Sequence, residues 1–160
     1  MRTMTPSANP AACKYCTPPS QPRAHDMPFV QGLRCSELFL FPDQTHFGRA
    51  VLALDSHHTE LFQLSASKLA AFMADVADVA AVIQQISRCD KVNYASYGDV
   101  FSHLHMHVVP KHREDFDWGR PFDLESRSPC LLDPTQRDAL VARFRDGLSL
   151  RLQASASARR

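Results

Sequence analysis

The longest regular hydrophobic pattern in the chain predicts a helix. Apolar residues recur every three or four positions from Leu69 to Ile86, which places them on one face of a helix. Ser65 stands before this pattern as an N-cap, and the pattern ends near Arg88. A weaker pattern, with a proline suited to a first helical turn, predicts a C-terminal helix over Pro134–Leu152.

Four shorter segments predict β-strands. Proline, aspartate and glycine, which are typical of turns, stand between several of them. The segments are Glu37–Phe41, Ala50–Leu54, Lys91–Tyr97 and His103–Lys111. Two strands precede the long helix and two follow it, so the order of elements predicts an α+β fold with a mainly antiparallel sheet.

The last predicted strand carries three histidines at alternate positions, His103, His105 and His107. Alternate side chains of a strand share a face, so the three imidazoles would line one surface while Leu104 and Met106 enter a core. Neighbours on that face are roughly 6.5–7 Å apart, so the rings could grip a phosphate or a metal together. A purely structural role is disfavoured, because each buried imidazole needs its own hydrogen-bond partner.

Composition narrows the classes of function. The chain has 160 residues, the length of one domain, and a formal net charge of +1, which argues against bulk binding to nucleic acid or to a membrane surface. The first twelve residues lack the apolar run of a secretory signal. The most apolar stretch, Leu69–Ile86, is interrupted by Asp75 and Asp78. We therefore expect a cytoplasmic protein without nucleic-acid or membrane partners.

Five cysteines make an odd number, and without a signal a disulfide framework is not expected. Cys13 and Cys16 form the only pair at metal-knuckle spacing, and such a pair needs two further ligands. The eight histidines of the chain are candidates to supply them.

Patterning along the chain divides it into four segments. Residues 1–30 are rich in proline, serine and alanine and are expected to form a flexible arm that carries the cysteine pair. Residues 31–123 contain the predicted strands and the long helix, and are expected to form the main domain. Residues 124–153 form a C-terminal extension with the second helix. Residues 154–160 are expected to be a disordered tail.

The run from His103 to Val109 resembles the motif of the histidine-triad (HIT) superfamily of nucleotide hydrolases and transferases. The resemblance extends from about Glu37 to Phe122. Other matching segments occur in the family order: Phe39–Asp43, Gly48–Leu54, His57 with Leu61, the long helix, and Lys91–Tyr94. The resemblance implies a HIT-like α+β fold and a homodimer that joins sheets and helices.

The resemblance also implies a mechanism. His105 matches the family nucleophile, which attacks the α-phosphorus of a nucleotide and forms a nucleotidyl-histidine that water hydrolyses. His107 matches the histidine that contacts the phosphate and assists the leaving group, and His103 is the remaining triad residue. The implied substrates are nucleoside phosphoanhydrides or phosphoramidates, such as diadenosine polyphosphates or adenosine phosphoramidates. No organic cofactor is expected, and the attack itself needs no metal.

In some bacterial members and in galactose-phosphate uridylyltransferases, a similar cysteine pair binds zinc with two histidines. Here the matching residues are Cys13, Cys16, His57 and His103, a set suited to a closed structural site. The alternative is that the thiols are ordinary and His57 is a surface or core residue.

Further positions match family residues that contact the nucleotide. Asp43 matches a residue that binds the ribose hydroxyls, or is a turn residue after Pro42. Asn93 matches a phosphate-contacting asparagine, or satisfies a strand irregularity. Trp118 would cover the nucleotide pocket or the dimer interface, or belong to the core.

Three positions depart from the family pattern. Asp99 and Val100 stand where many relatives have an amide and a hydroxyl that contact phosphate, so Asp99 is a candidate nucleotide-binding residue with an unfavourable charge. Arg49 replaces a family histidine and would bind a distal phosphate or be a solvated surface charge. His25, His46 and His112 are expected to have no catalytic role.

Two rival functions remain open. One is a non-enzymatic metal-binding module with His103, His105 and His107 as ligands, although the long helix and the position of Glu114 argue against a cupin. The other is a nucleotide-binding regulator with little turnover.

Overall fold

A computed structural model describes residues 13–16, 27–124, 126 and 128–157. The chain forms one five-stranded antiparallel sheet in the order β1-β2-β3-β5-β4. Its strands are β1 (Phe29–Gly32), β2 (Ser36–Leu40), β3 (Ala50–Leu54), β4 (Lys91–Ala95) and β5 (His105–Lys111), and its helices are α1 (Ala66–Ser87) and α2 (Pro134–Ser157). The predicted α+β architecture is confirmed.

Helix α1 begins and ends where its sequence predicts. The Ser65 side chain accepts a hydrogen bond from the backbone N–H of Lys68, and Arg88 closes the helix in a left-handed conformation with φ of 56°. Helix α1 has the length and apolar composition of a membrane span, and 44% of its most apolar window is buried within the fold. Its buried Asp75 accepts hydrogen bonds from Ser36 and Arg34, so its charge is compensated. Helix α1 is therefore the core helix of the domain.

The two faces of the sheet have different chemistry. One face carries Leu38, Leu52 and Met106, which join α1 and α2 in the main apolar core. The opposite face carries His105 beside Ala53 and His107 beside Val51. Because side chains alternate along β5, packing Met106 into the core places these two histidines on the other side.

Several predicted boundaries differ from the structure: β2 is Ser36–Leu40 rather than Glu37–Phe41, β4 ends at Ala95 rather than Tyr97, and three further differences follow. Strand β1 lies partly within the predicted flexible arm, since Phe29 and Val30 belong to it and Val30 is buried. Strand β5 begins at His105 rather than His103: the Leu104 carbonyl still accepts from the Leu54 N–H, but the Leu104 N–H donates to the His58 carbonyl instead of to a strand. Helix α2 continues to Ser157, within the predicted disordered tail. Residues 1–12, 17–26 and 158–160, including His25, lie outside the described residues, so the flexibility of the arm stays a prediction.

Candidate active site and metal centre

His105 opens strand β5 and is held in one tautomer. Its Nδ1 lies 2.6 Å from the carbonyl oxygen of His103, and a carbonyl can only accept, so Nδ1 carries the proton. The other ring nitrogen, Nε2, therefore keeps its lone pair. Burial lowers the pKa of His105 below its ordinary value, and the charge of Lys14 adds to this effect. The ring is therefore neutral at pH 7, with the lone pair on Nε2.

His107 lies two residues along β5 in an aromatic enclosure. Its ring centroid is 5.3 Å from that of His105, and the rings of Phe41, Tyr97 and Phe122 lie 5.8, 5.9 and 6.3 Å away. Burial lowers the pKa of His107 to about 3, and the charges of His105 and Arg49 contribute. His107 is therefore neutral over the whole physiological range.

His103 lies before the strand and has different neighbours. Its Nε2 donates to the carbonyl oxygen of Leu54 at 2.8 Å, which leaves Nδ1 free to accept. That Nδ1 is 3.4 Å from the Sγ of Cys13 and 3.5 Å from the Sγ of Cys16. The Nδ1 of His57 is 3.3 Å from the same Cys16 sulfur. The structure thus brings together all four predicted metal ligands, with their ligand atoms within 4.8 Å of one another.

These distances suit a tetrahedral ion. With Zn–S about 2.3 Å and Zn–N about 2.0 Å, tetrahedral angles place sulfur and nitrogen about 3.5 Å apart. Burial lowers the pKa of His103 to about 4, so it is a neutral imidazole ready to bind a metal. Burial raises the pKa of Cys16 to about 11, with Cys13 contributing, so an ion that binds there has to displace a proton. The donor set fits zinc.

Tyr15 belongs to the site and was not predicted. It stands between the two cysteines, is 8% exposed, and packs against Phe39 and Ala53 on the histidine face of the sheet. Its ring centroid is 5.2 Å from those of both His103 and His105. The only signal in the sequence was an aromatic residue inside the cysteine pair, and that signal does not reveal which surface the ring covers.

The predicted nucleotide-binding residues differ in their surroundings. Asp43 is buried, and its Oδ1 accepts hydrogen bonds from Thr45 and from the backbone N–H of Cys130. These contacts favour the turn-residue alternative for Asp43. Asn93 lies on β4 opposite Val109, two residues from Ala95, which pairs with His107. Asn93 therefore shares the face of the triad.

Two other candidates lie at the surface. Asp99 is exposed in the loop after β4, and Trp118 is 37% exposed with the Arg113 guanidinium 5.4 Å from its ring centre. In the described part of the chain, no hydrogen bond or ring contact links either residue to His105 or His107. Their nucleotide-binding roles stay predictions.

Arg49 is not the solvated surface charge that was one expectation. It is 1% exposed, its guanidinium lies 3.8 Å from the centre of the Phe41 ring, and it donates to the carbonyl oxygens of Asp123 and Leu124. Burial lowers its pKa to about 10, so it stays protonated at pH 7. Through these hydrogen bonds and its contact with Phe41, Arg49 connects the segment after β5 to the aromatic residues around His107.

Together, the antiparallel sheet, the capped core helix and the histidines on one face define a HIT-like fold. Residues 49–114 match the family model described as HIT domain. This part of the chain is therefore similar to a HIT domain, and the predicted resemblance to the histidine-triad superfamily is confirmed.

Solved structures share this fold. A histidine triad protein from Bradyrhizobium japonicum is 22% identical, with 77% of this chain and 91% of that chain covered and a TM-score of 0.70. A histidine triad protein from Marinobacter aquaeolei is 17% identical, with 78% and 90% covered and a TM-score of 0.69. A zinc-bound histidine triad family protein from Mycobacterium smegmatis is 18% identical, with 91% and 99% covered and a TM-score of 0.62. No curated protein matches this chain at a significant level.

Proposed function

We propose that this protein is a hydrolase or transferase that cleaves nucleoside phosphoanhydrides or phosphoramidates through a covalent nucleotidyl intermediate on His105. One observation carries the proposal: the hydrogen bond from His105 Nδ1 to the His103 carbonyl leaves Nε2 as the nucleophilic nitrogen. The HIT domain match over residues 49–114 supports the substrate class.

The proposed reaction has two steps. Nε2 of His105 attacks the α-phosphorus, so a P–N bond forms while the bond from phosphorus to the leaving group breaks. Water then attacks the same phosphorus, releases a nucleoside monophosphate and regenerates the imidazole.

His107 is the proposed partner of the phosphate and the leaving group. It is neutral in the free protein because burial holds its pKa at about 3, so it does not protonate a leaving group unaided. A phosphate charge placed beside the ring favours the imidazolium and raises this pKa. Substrate binding would therefore prepare His107 to carry the proton that the leaving group takes away.

We further propose that zinc binds Cys13, Cys16, His57 and His103 in a structural role. The sulfur–nitrogen distances of 3.3–3.5 Å support this site, as does the zinc-bound relative from Mycobacterium smegmatis. Zinc would supply a fixed tetrahedral junction between the arm and the sheet. No other cofactor is proposed.

A homodimer and a cytoplasmic location complete the proposal. Strand β4 ends the sheet, so one of its edges has no partner strand in the described chain. Tyr94 on β4 is 50% exposed, and Met73 on α1 is 44% exposed. These surfaces suit a dimer that joins sheets and helices, and light scattering on the purified protein would give twice the chain mass.

Replacing His105 by Asn tests the enzymatic proposal. The protein is assayed for nucleoside monophosphate release against diadenosine polyphosphates and adenosine phosphoramidates. We expect wild type and the matched control His112→Asn to be active and His105→Asn to be inactive, with zinc content and folding unchanged in all three. Activity in His105→Asn would overturn the covalent mechanism, and nucleotide binding without turnover by wild type would favour the regulator.

A further inference from the structure

A second cluster of ligand-type side chains lies away from the proposed zinc centre. His46 comes from the turn between β2 and β3, and Asp115 and Asp117 come from the loop after β5. Ligand atoms of these three residues, which we call the His46 cluster, lie within 4.8 Å of one another. We propose that the His46 cluster is a binding site for a divalent transition-metal ion.

The geometry shows polar atoms that converge without hydrogen-bonding to one another, while Oδ2 of Asp115 accepts a hydrogen bond from the backbone N–H of His112 at 2.6 Å. His46 is 5% exposed and Asp117 is 4% exposed. Nδ1 of His46 lies 3.5 Å from Oδ2 of Asp115, and Nε2 lies 3.2 Å from Oδ2 of Asp117. In the described part of the chain, His46 Nδ1 and Asp117 Oδ2 have no hydrogen-bond partner. Unpaired buried polar atoms are destabilising, and a bound cation would supply the missing partner.

The charges of the two aspartates and Lys111 also favour the binding of a cation. Lys111 is buried, its Nζ lies 2.7 Å from Oδ1 of Asp117, and it donates to the backbone carbonyls of Asp117 and Arg120. This ammonium neutralises one carboxylate and fixes the loop, while Oδ2 of Asp117 stays directed at His46. Lys111 offsets one of the two carboxylates, and a bound cation would offset the other. The ring nitrogens of His46 make no hydrogen bond to either carboxylate among the described residues.

The donor set indicates the class of ion. One imidazole nitrogen and two carboxylate oxygens suit Mn²⁺, Fe²⁺ or Zn²⁺, and three protein ligands leave coordination positions for water. A cavity of about 500 Å³ adjoins the cluster, lined by Thr45, Phe116 and Asp123 with Ser126 and Ser128. Two of these lining residues are sequence neighbours of the cluster, since Thr45 directly precedes His46 and Phe116 stands between the two aspartates.

Titration of the full chain with Mn²⁺, followed by electron paramagnetic resonance, tests the site. Mn²⁺ prefers carboxylate and imidazole ligands to the thiolates of Cys13 and Cys16, so it reports on the His46 cluster. We expect wild type to bind one Mn²⁺ saturably below about 1 mM. Asp115→Asn, which is close in size, should weaken binding roughly tenfold or more. Asp90→Asn is the matched control, because Asp90 pairs with Arg113 of the same loop without being a ligand.

A second variant and a second readout keep the test decisive. His46→Gln should also lose Mn²⁺ binding, and Mn²⁺ should raise the melting temperature of wild type but not of Asp115→Asn. Absence of saturable binding to wild type, or equal binding by Asp115→Asn and Asp90→Asn, overturns the proposal.

Discussion

His103 and His107 belong to one alternating run, yet the structure gives them opposite surroundings. His103 faces two sulfurs and His57, and its second nitrogen donates to the Leu54 carbonyl. His107 faces the aromatic rings of Phe41, Tyr97 and Phe122, and its Nδ1 has no hydrogen-bond partner in the described chain. The two histidines therefore differ in their ring nitrogens: both nitrogens of His103 have polar neighbours, whereas Nδ1 of His107 has none among the described residues.

The start of strand β5 explains the difference. His105 and His107 lie within the ladder, so both project from the face opposite the core. His103 precedes the ladder, and its carbonyl holds His105 while its ring turns toward the cysteines. His103 thus connects the two regions through its backbone. We therefore expect changes near His107 to affect catalysis and changes near His103 to affect metal content.

Of the changes at the two ends of the run, replacing His107 by Asn should have the largest effect. We expect the turnover number to fall roughly 10²–10⁴-fold, because a positioned proton carrier contributes about that much. Zinc content should stay at the wild-type value, because His107 lies outside the cysteine cluster. Steady-state kinetics on the best substrate and elemental analysis measure the two quantities. Unchanged turnover, or loss of zinc together with activity, would contradict the separation.

Replacing Cys13 and Cys16 by Ser tests the other end. We expect loss of bound zinc and a decrease in the free energy of unfolding of about 3 kcal/mol, the linkage value for a ligand at a hundred times its dissociation constant. Cys130→Ser is the matched control, because Cys130 is an exposed thiol outside the cluster. Urea unfolding with zinc present measures the difference. Equal stability of the two proteins would remove the proposed structural role of zinc.

The sequence predicted correctly the elements that are determined by residues close together in the chain. Helix α1 was predicted from Ser65 to Arg88 because its cap residue and its periodicity lie within the helix itself. Strand β1 has four residues and little alternation, and it depends on distant partners. Val30, for example, is buried in the core shared with α2, and its carbonyl accepts from Arg145. No pattern in residues 1–30 contains that information.

The candidate site likewise combines residues that the sequence revealed with features that depend on distant contacts. Spacing in the sequence revealed the cysteine pair and the alternating histidines, and the family resemblance added His57 and the grouping of four candidate metal ligands, which the structure places together. Three features depended on long-range packing and were not predictable: the ring of Tyr15 on His105, the burial of Arg49, and the convergence of His46 with two aspartates. His46 in particular was expected to have no catalytic role, and nothing near it in sequence indicates its partners.

The low pKa of His107 predicts a pH dependence of stability. Its folded pKa is about 3, below its ordinary value of 6.5, so the unfolded chain binds the extra proton first as pH falls. The contribution of His107 to the free energy of unfolding is therefore fully present above about pH 6.5. It is lost toward pH 3, by about 1.4 kcal/mol per pH unit for one proton. Urea unfolding between pH 7 and pH 4.5 should give a smaller slope for His107→Asn than for wild type. Zinc is kept present throughout, and parallel slopes would refute the assignment.

A change at Tyr15 should affect both regions at once, because its ring contacts both His103 and His105. Tyr15→Leu removes two aromatic contacts, each worth about 0.5–1.5 kcal/mol, from rings on both sides. We expect kcat/KM to fall roughly two- to tenfold and the melting temperature to fall slightly, while the four zinc ligands retain their metal. Tyr15→Phe keeps the ring contacts with both histidines and should therefore lose less activity and stability than Tyr15→Leu. If Tyr15→Leu lost zinc without losing activity, the ring would belong to the metal centre alone, and His105 would be independent of it.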